Sequence, residues 1–596
     1  MKSKKYYPYI LLIVVIIHIP SYPEIPKTDT QFLIGNGNML VGIKSDGNIS
    51  FARWSGIGGS NHFGPLYRSV PQKEDKKPFI DSSTYMLQIQ DSIYSLTEQG
   101  NLNITGKYVS PEIPLLEFEG TTKNNDITWK QEMFVHPSRD IICIHFRFNK
   151  NTQKDVTENF ISYQNISPKS PPIIENAFLN DPKGFQKDFC VFWDMTLQTL
   201  IHFRPYNAGN SDVYKLEQIK ETSNISKKFW QRFEEGVYIG ICSTNPVKGA
   251  NILNYPITPN DLSNTTKQNF PTTFHIFDDY CSSLIIQPSV TIDNTKEVTF
   301  FYIFTHNYSE MEESVQWLKT TNYNQMKETL FSCWKSRWEI AKKDIKENFA
   351  KNWLQITLCT DPTTGAILTN PFDPVWGNRI SLHDCYFLIQ SMNNMDMYDF
   401  SKKLISFWHQ VGKKRKLSAK QTFPLWVYPD GTSACPEYWM DISQTAYFIS
   451  IVYALSNNMN FTEKKDFLSE QWDVFTWSMD NLCLWKIPGD LLPAPSFTDS
   501  LNRDMQTANL LIQTLIGIQK GIQLAKMIYK PIPELWETRD KELQTYIRLL
   551  ILNREPLEFL PNKDLSDWKK FFHEKNILWL LPVKYNGNIM ILKDIK

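Results

Sequence analysis

The chain has 596 residues, which is more than one core organises, because single hydrophobic cores stop growing near about 250 to 300 residues. Apolar residues at 42% with charged residues at 21% describe a globular protein, and a formal net charge of zero gives no field to draw it to nucleic acid or an anionic membrane. The aromatic share of 14%, with 18 tryptophans, is high enough for ring-lined surfaces, which suit sugars as well as cores.

At the amino terminus Lys2, Lys4 and Lys5 precede an apolar run from Tyr6 to Ile19, broken by Pro8 and His18. The run is shorter than the roughly 20 residues that span a bilayer, so residues 1–22 read as a signal peptide. Only Ser21 is small at the cleavage end, which leaves an uncleaved anchor open. The expected location is secreted or in the endomembrane lumen, with no membrane partner unless the signal stays attached. Asn-X-Ser/Thr sequons at Asn48, Asn103, Asn165, Asn224, Asn264, Asn307 and Asn460 agree with that location, at about the chance frequency for so Asn-rich a chain. Nine cysteines with no C-x-x-C pair argue against a zinc site; one or more disulfides are expected, with an odd thiol left over.

Residues 23–308 carry strand signals. Leu87 and Ile89 alternate with Gln88 and Gln90, Leu116 and Phe118 with Glu117 and Glu119, and Ile144, Phe146 and Phe148 with His145 and Arg147. Period two in short runs predicts half-buried antiparallel strands, and the almost wholly apolar Val298 to Phe304 predicts a central one, together a large β-sandwich. Glycines crowd Gly35 to Asn38 and Trp54 to Gly64, but no helix-forming segment follows on which an anion could sit, so hairpin turns are preferred to a phosphate cradle. Trp54, His62 and Phe63 read as sandwich core before a lip over the neighbouring domain.

Between residues 309 and 351 the period becomes helical, predicting a linker helix with Trp317, Leu318, Leu330, Trp334, Trp338 and Ile345 on one face. Residues 352–596 form the second domain, with helices predicted at 352–359, 383–394, 398–411, 442–456, 462–479, 501–529 and 534–553. The basic run Lys413 to Lys416 reads as a solvated loop, and Ile577 to Ile591 as one or two strands. Three aromatic loops stand ahead of helices: Pro371 to Arg379, Tyr428 to Asp441, and Asn481 to Thr498. They would converge at one end if the helices are wound as a toroid.

Read together, Gly365-Ala366-Ile367-Leu368, Trp376 through His383-Asp384, Pro436-Glu437 to Asp441, and Leu484-Trp485 with Phe497-Thr498 resemble glycoside hydrolase family 15, the glucoamylase-like enzymes. The resemblance lies in the order and spacing of these motifs and spans most of the chain. It implies a β + α multidomain fold, an amino-terminal β-sandwich followed by an (α/α)6-toroid-like helical domain. It also implies a carbohydrate partner, an α-glucan or glucoside, and inverting hydrolysis without metal or cofactor. Inversion needs a protonated carboxyl and a carboxylate base about 6.5 to 9.5 Å apart.

Carried over by position, Asp384 resembles the aspartate that binds the non-reducing-end glucose, with His383 where the family has arginine. Trp376 and Trp439 fall in the aromatic stretches, Asp441 resembles a further polar position at the mouth, and Trp485 the tryptophan beside the general acid. Lys486 stands where that acid glutamate is expected. A desolvated ammonium there would repel an oxocarbenium-like transition state. The base glutamate has no counterpart after Pro556, so an incomplete toroid is expected. Glu437 is the spare acid among Asp430, Asp441, Asp490 and Asp499, of which Asp499 reads better as the cap of a helix starting at Leu501. Two functions follow: a glucoamylase-type hydrolase, or a carbohydrate-binding pseudoenzyme or truncated gene copy. A plain helical-repeat protein has less support, because no period of 20 to 50 residues recurs.

Overall fold

The computed structural model describes residues 30–63, 83–90, 92–97, 103–122, 127–150, 158–166, 168, 190–205, 235–254, 270, 275–276, 280–291, 295–373, 377–437, 439–486, 493–498, 503–505, 508–552, 582–585 and 588–591. The expected signal segment, Trp376, Asp490 and Asp499 lie outside them.

The period-two stretches form strands. In a ten-stranded antiparallel sheet, Lys296–Thr305 lies between Ile141–Lys150 and Gly236–Ser243, the central place its apolar run predicts. A five-stranded sheet has Glu158–Asn165 between Tyr280–Ile286 and Thr84–Ile89. Leu87, Phe160 and Leu284 of the smaller sheet meet Ile142, Ile144, Phe146 and Phe300 of the larger in one core.

The far face of the larger sheet is covered too, by α1 (Tyr308–Thr320) and α2 (Tyr323–Ala341), whose Met311, Val315, Met326 and Leu330 pack on Cys143, Phe301 and Ile303. His145, expected on a polar face, is therefore buried, its ring stacked on Tyr323 at 4.3 Å. Two helices replace the single linker helix because Asn322 starts a new one, forming a capping box with Gln325.

A separate four-stranded sheet comprises β1 (Thr30–Gly35), β2 (Leu40–Lys44), β3 (Ile49–Trp54) and the short β4 (Ser60–Asn61). Trp54, His62 and Phe63 are core. The glycine-rich turn between them reaches the helices: a Cβ on Gly58 would collide with the Pro429 ring. Close approach, as well as turn geometry, explains the glycines there.

The helical part comprises α3 (Ala350–Leu358), α4 (Leu382–Asn394), α5 (Tyr398–Leu417), α6 (Ile442–Ser456), α7 (Phe461–Leu484), α8 (Ala508–Met527) and α9 (Glu534–Leu552). Nearly every residue of α6 is buried, because α4 and α8 flank it and α5 and α7 pack behind. Helix α5 runs on to Leu417, so Lys413 to Lys416 lie in and beside its last turn, where cations meet the negative end of the helix dipole, and not in a loop. Helix α8 begins at Ala508 rather than Leu501, because Ser496–Thr498 and Arg503–Met505 pair as a hairpin. Pro582–Tyr585 and Asn588–Ile591 form another hairpin.

Among the described residues no helix is long and apolar enough to cross a membrane. The seven cysteines whose side chains are described are free thiols, so the expected disulfide is not among them. Two of the sequon asparagines, Asn48 and Asn165, are buried, and the Asn48 amide donates to Asp46 and to the Thr97 carbonyl. Those two are closed to a glycan in the folded protein.

Candidate functional site

The three aromatic loops meet. Ile380 and Val427 exchange backbone hydrogen bonds of 2.9 and 3.0 Å, which joins the first loop to the second. The Leu382 N–H donates to Gln444 Oε1 at 3.1 Å, linking the starts of α4 and α6, and the Ile442 N–H donates to Ser496 Oγ at 2.9 Å, which brings in the third loop. From β3 of the separate sheet, the fully buried Arg53 donates to the carbonyls of Pro371, at 3.2 Å, and Asp373. A Cβ on Gly377 would strike that guanidinium. One mouth is thus assembled from four regions of the chain.

At one corner sit His383 and Asp384, in the first turn of α4. Ser381 caps the helix, its Oγ accepting from the Asp384 N–H at 3.1 Å. His383 Nδ1 is 3.1 Å from Asp384 Oδ1, and Thr369 Oγ1 donates to Oδ2 at 3.4 Å. Burial would raise the Asp384 carboxyl, but hydrogen bonds from His383, Ser381 and Thr369 outweigh it and hold the group below the usual carboxylate range. Both side chains remain about half open, at 46 and 49% exposure, so a ligand can reach them. His383 stands edge-on to Phe387 at 5.3 Å and to Tyr447 at 5.1 Å, with Tyr386 6.0 Å from Tyr447.

Asp441 is the N-cap of α6. One oxygen accepts from the Ser443 N–H at 2.9 Å, the other from Ser443 Oγ at 2.7 Å and Gln444 Nε2 at 3.0 Å. Burial nevertheless raises its pKa, and His383 is near enough to act on it electrostatically. Both oxygens are occupied in positioning the mouth.

The other carried-over positions are held in ion pairs. Lys486 does not stand free: its Nζ lies 3.3 Å from both oxygens of Glu542 on α9, and Arg539 Nη1 donates to the same carboxylate at 2.9 Å. Glu437, the spare acid, is 2.6 Å from Arg415 Nη1 and 3.5 Å from Lys420 Nζ. Although burial would raise it, these partners hold its carboxyl below the usual range, the opposite of what a proton donor needs. Trp485 packs partly buried against the helical core, its Nε1 donating to the Ala494 carbonyl at 2.9 Å. Trp439 points inward, packed with Leu425, Cys435 and Trp426.

The structure thus brings His383, Asp384 and Asp441 together and ties Lys486 and Glu437 to other partners. Sequence reasoning missed Glu542, Tyr386, Phe387 and Tyr447. The helical spacing of His383, Tyr386, Phe387 and Gln390 offered a signal for the ring-bearing face of α4. For Glu542 there was none, since it meets Lys486 across 56 positions. Among the described residues no group of three or more His, Cys, Asp or Glu is placed to hold a metal ion.

No family model matches the sequence, and no curated protein matches it. Among solved structures, the chain is similar to a bacterial glucoamylase complexed with acarbose, with a TM-score of 0.60 and 11% identity over 88% of this chain and 67% of that one. A kojibiose phosphorylase described as putative, from the human microbiome, aligns at a TM-score of 0.42 and 8% identity over 87% and 67%. A family GH92 α-mannosidase from Bacteroides thetaiotaomicron with mannoimidazole aligns at 0.31 and 11% over 72% and 48%. At these identities the first likeness establishes a glucoamylase-like arrangement of strands and helices, and fold does not by itself assign chemistry.

Proposed function

We propose that this chain is a carbohydrate-binding protein on a glucoamylase-like scaffold, its helices an (α/α)6-toroid-like arrangement behind the β-sandwich. It holds an α-glucan or glucoside at the His383–Asp384 corner without hydrolysing it. The observation that carries the reading is the Lys486–Glu542 pair: the position expected to hold the general acid is a lysine engaged with a carboxylate of its own. Glu437 is ionised by its partners and both Asp441 oxygens are taken up in capping, so neither of these two carboxyls stands as a free proton donor. Asp384, ionised and half exposed, is suited to accepting hydrogen bonds from sugar hydroxyls, and the exposed Phe387 ring lies beside it, next to His383. The apolar amino-terminal run supports delivery outside the cytosol.

The test is to incubate the purified full chain with maltooligosaccharides, measuring binding calorimetrically and glucose release in parallel. Saturable binding without release is the expected result. Robust release would restore the hydrolase reading, and release unaffected by Glu437→Gln would also remove Glu437 from it. Absence of binding would sink the carbohydrate reading.

A further inference from the structure

On the face of α6 that carries Tyr447, Ser450 and Tyr453, a lysine from α8 reaches across to α4. Lys520 Nζ lies 4.9 Å from the centre of the Tyr386 ring and 5.9 Å from that of Tyr453, and donates to Ser450 Oγ at 3.2 Å. An ammonium has three donors and no acceptor. Ser450 takes one, and among the described residues no carboxylate lies within ion-pair distance of Lys520 and no other acceptor takes the remaining two. Every other site lysine differs in this respect: Lys486 is paired with Glu542 and Lys420 with Glu437. A charge withdrawn from water is costly unless an opposite charge meets it. Burial indeed pulls the Lys520 pKa down to about 8, and no neighbouring acid offsets it.

The place is continuous with the site already described. From Lys520 the rings run to Tyr386, to Tyr447 at 6.0 Å and to His383 at a further 5.1 Å, with no step longer than 6.0 Å, and Asp384 follows. Tyr447 is buried beneath this run, whose open side is formed by the exposed Phe387, 5.4 Å from Tyr386 and 5.3 Å from His383. That run presents the Asp384 carboxylate at one end, the Phe387 and Tyr386 rings along it, and at the other end a cation met by tyrosine rings and Ser450 but, among the described residues, by no carboxylate.

We propose that the ligand of this site is an acidic sugar, a glycan bearing a carboxylate, whose hydroxyls bind Asp384 and whose anionic group pairs with Lys520. The inference rests on the carbohydrate reading above and narrows it to a charge class. Lys520 is here a binding and specificity residue; no bond is made or broken.

The experiment titrates the full chain with an α-linked glucuronyl oligosaccharide, with its carboxyl-reduced and therefore neutral counterpart, and with inorganic phosphate, at low and at 0.5 M salt. The wild type is expected to bind the acidic sugar at least tenfold more tightly than the neutral one, the size of a hydrogen bond to a charged group, with the preference reduced by salt. Lys520→Met keeps the length of the side chain and is expected to equalise the two affinities, while Lys520→Arg keeps the preference. Unchanged thermal unfolding of Lys520→Met shows that the fold is intact. Equal binding of acidic and neutral sugars by the wild type overturns the charge assignment and leaves the carbohydrate reading standing. Binding of neither sugar overturns the carbohydrate reading itself. Phosphate binding that depends on Lys520, without a preference between the sugars, overturns the acidic-sugar assignment in favour of free phosphate.

Discussion

The His383–Asp384 corner and the Lys486 position are built from equally polar sequence and end in opposite states. At His383–Asp384 the side chains pair with each other at 3.1 Å and stay about half exposed, so their remaining hydrogen-bonding capacity faces solvent. At Lys486 the ammonium is matched by Glu542, and Glu542 by Arg539 as well, so the charge is met within the protein. A position in a motif indicates where a residue sits; its partners decide whether it is available to a ligand.

Substitutions sharpen or break this contrast, beginning with the largest effect. Arg53→Ala removes the buried guanidinium that donates to the Pro371 and Asp373 carbonyls in the loop ahead of α4 and leaves a cavity in its place, an expected loss of about 3 kcal/mol in urea unfolding. An effect near zero would show that the four-stranded sheet does not hold the mouth. Asp384→Ala is expected to weaken maltooligosaccharide binding by about 1.5 to 3 kcal/mol in calorimetry, the range for hydrogen bonds to a charged group. Lys486→Ala should leave that binding within about twofold, since the lysine is committed to Glu542. If both variants lose affinity equally, the distinction between the two positions fails.

Lys486→Glu tests the paired position by pH. In the wild type, burial would raise the Glu542 carboxyl, but Arg539 and Lys486 hold it below its ordinary value. Its stabilisation is therefore present above the unfolded carboxylate pKa and is lost as pH falls through the lower folded one. In the variant two carboxylates face each other, at least one pKa rises, and stability is instead lost as pH climbs through that raised value. Relative to wild type a deficit of about 1 kcal/mol is expected near neutral pH, small because the pair is partly exposed, and it should shrink towards pH of about 4. A deficit independent of pH would point to packing rather than charge. The smallest effect belongs to Glu437→Gln, whose pair with Arg415 is half exposed: a stability change within about 0.5 kcal/mol and no change in sugar binding.

Much of the architecture was legible in the chain. Alternation marked the strands around Leu87, Leu116 and Ile144, and α6 was predicted with the bounds it has, because an apolar run too long for a strand begins directly after the capping residue Asp441. Errors fell where a tertiary partner overrode a local pattern. His145 read as solvent-facing because alternation reports one sheet face, and α2 covers the other. The start of α8 was placed too early because helical periodicity continues through residues that pair as a hairpin.

By itself the sequence determined the order of a strand-rich half and a helical half, the position of the aromatic loops, and the presence of Lys486 in place of a glutamate. These are matters of local periodicity and residue identity. Only the tertiary structure decided that Lys486 meets Glu542, that Glu437 meets Arg415, and that Lys520 meets tyrosines instead of a carboxylate. The physical reason is that the availability of a charge depends on what surrounds it within about 4 to 6 Å, and those neighbours come from distant parts of the chain.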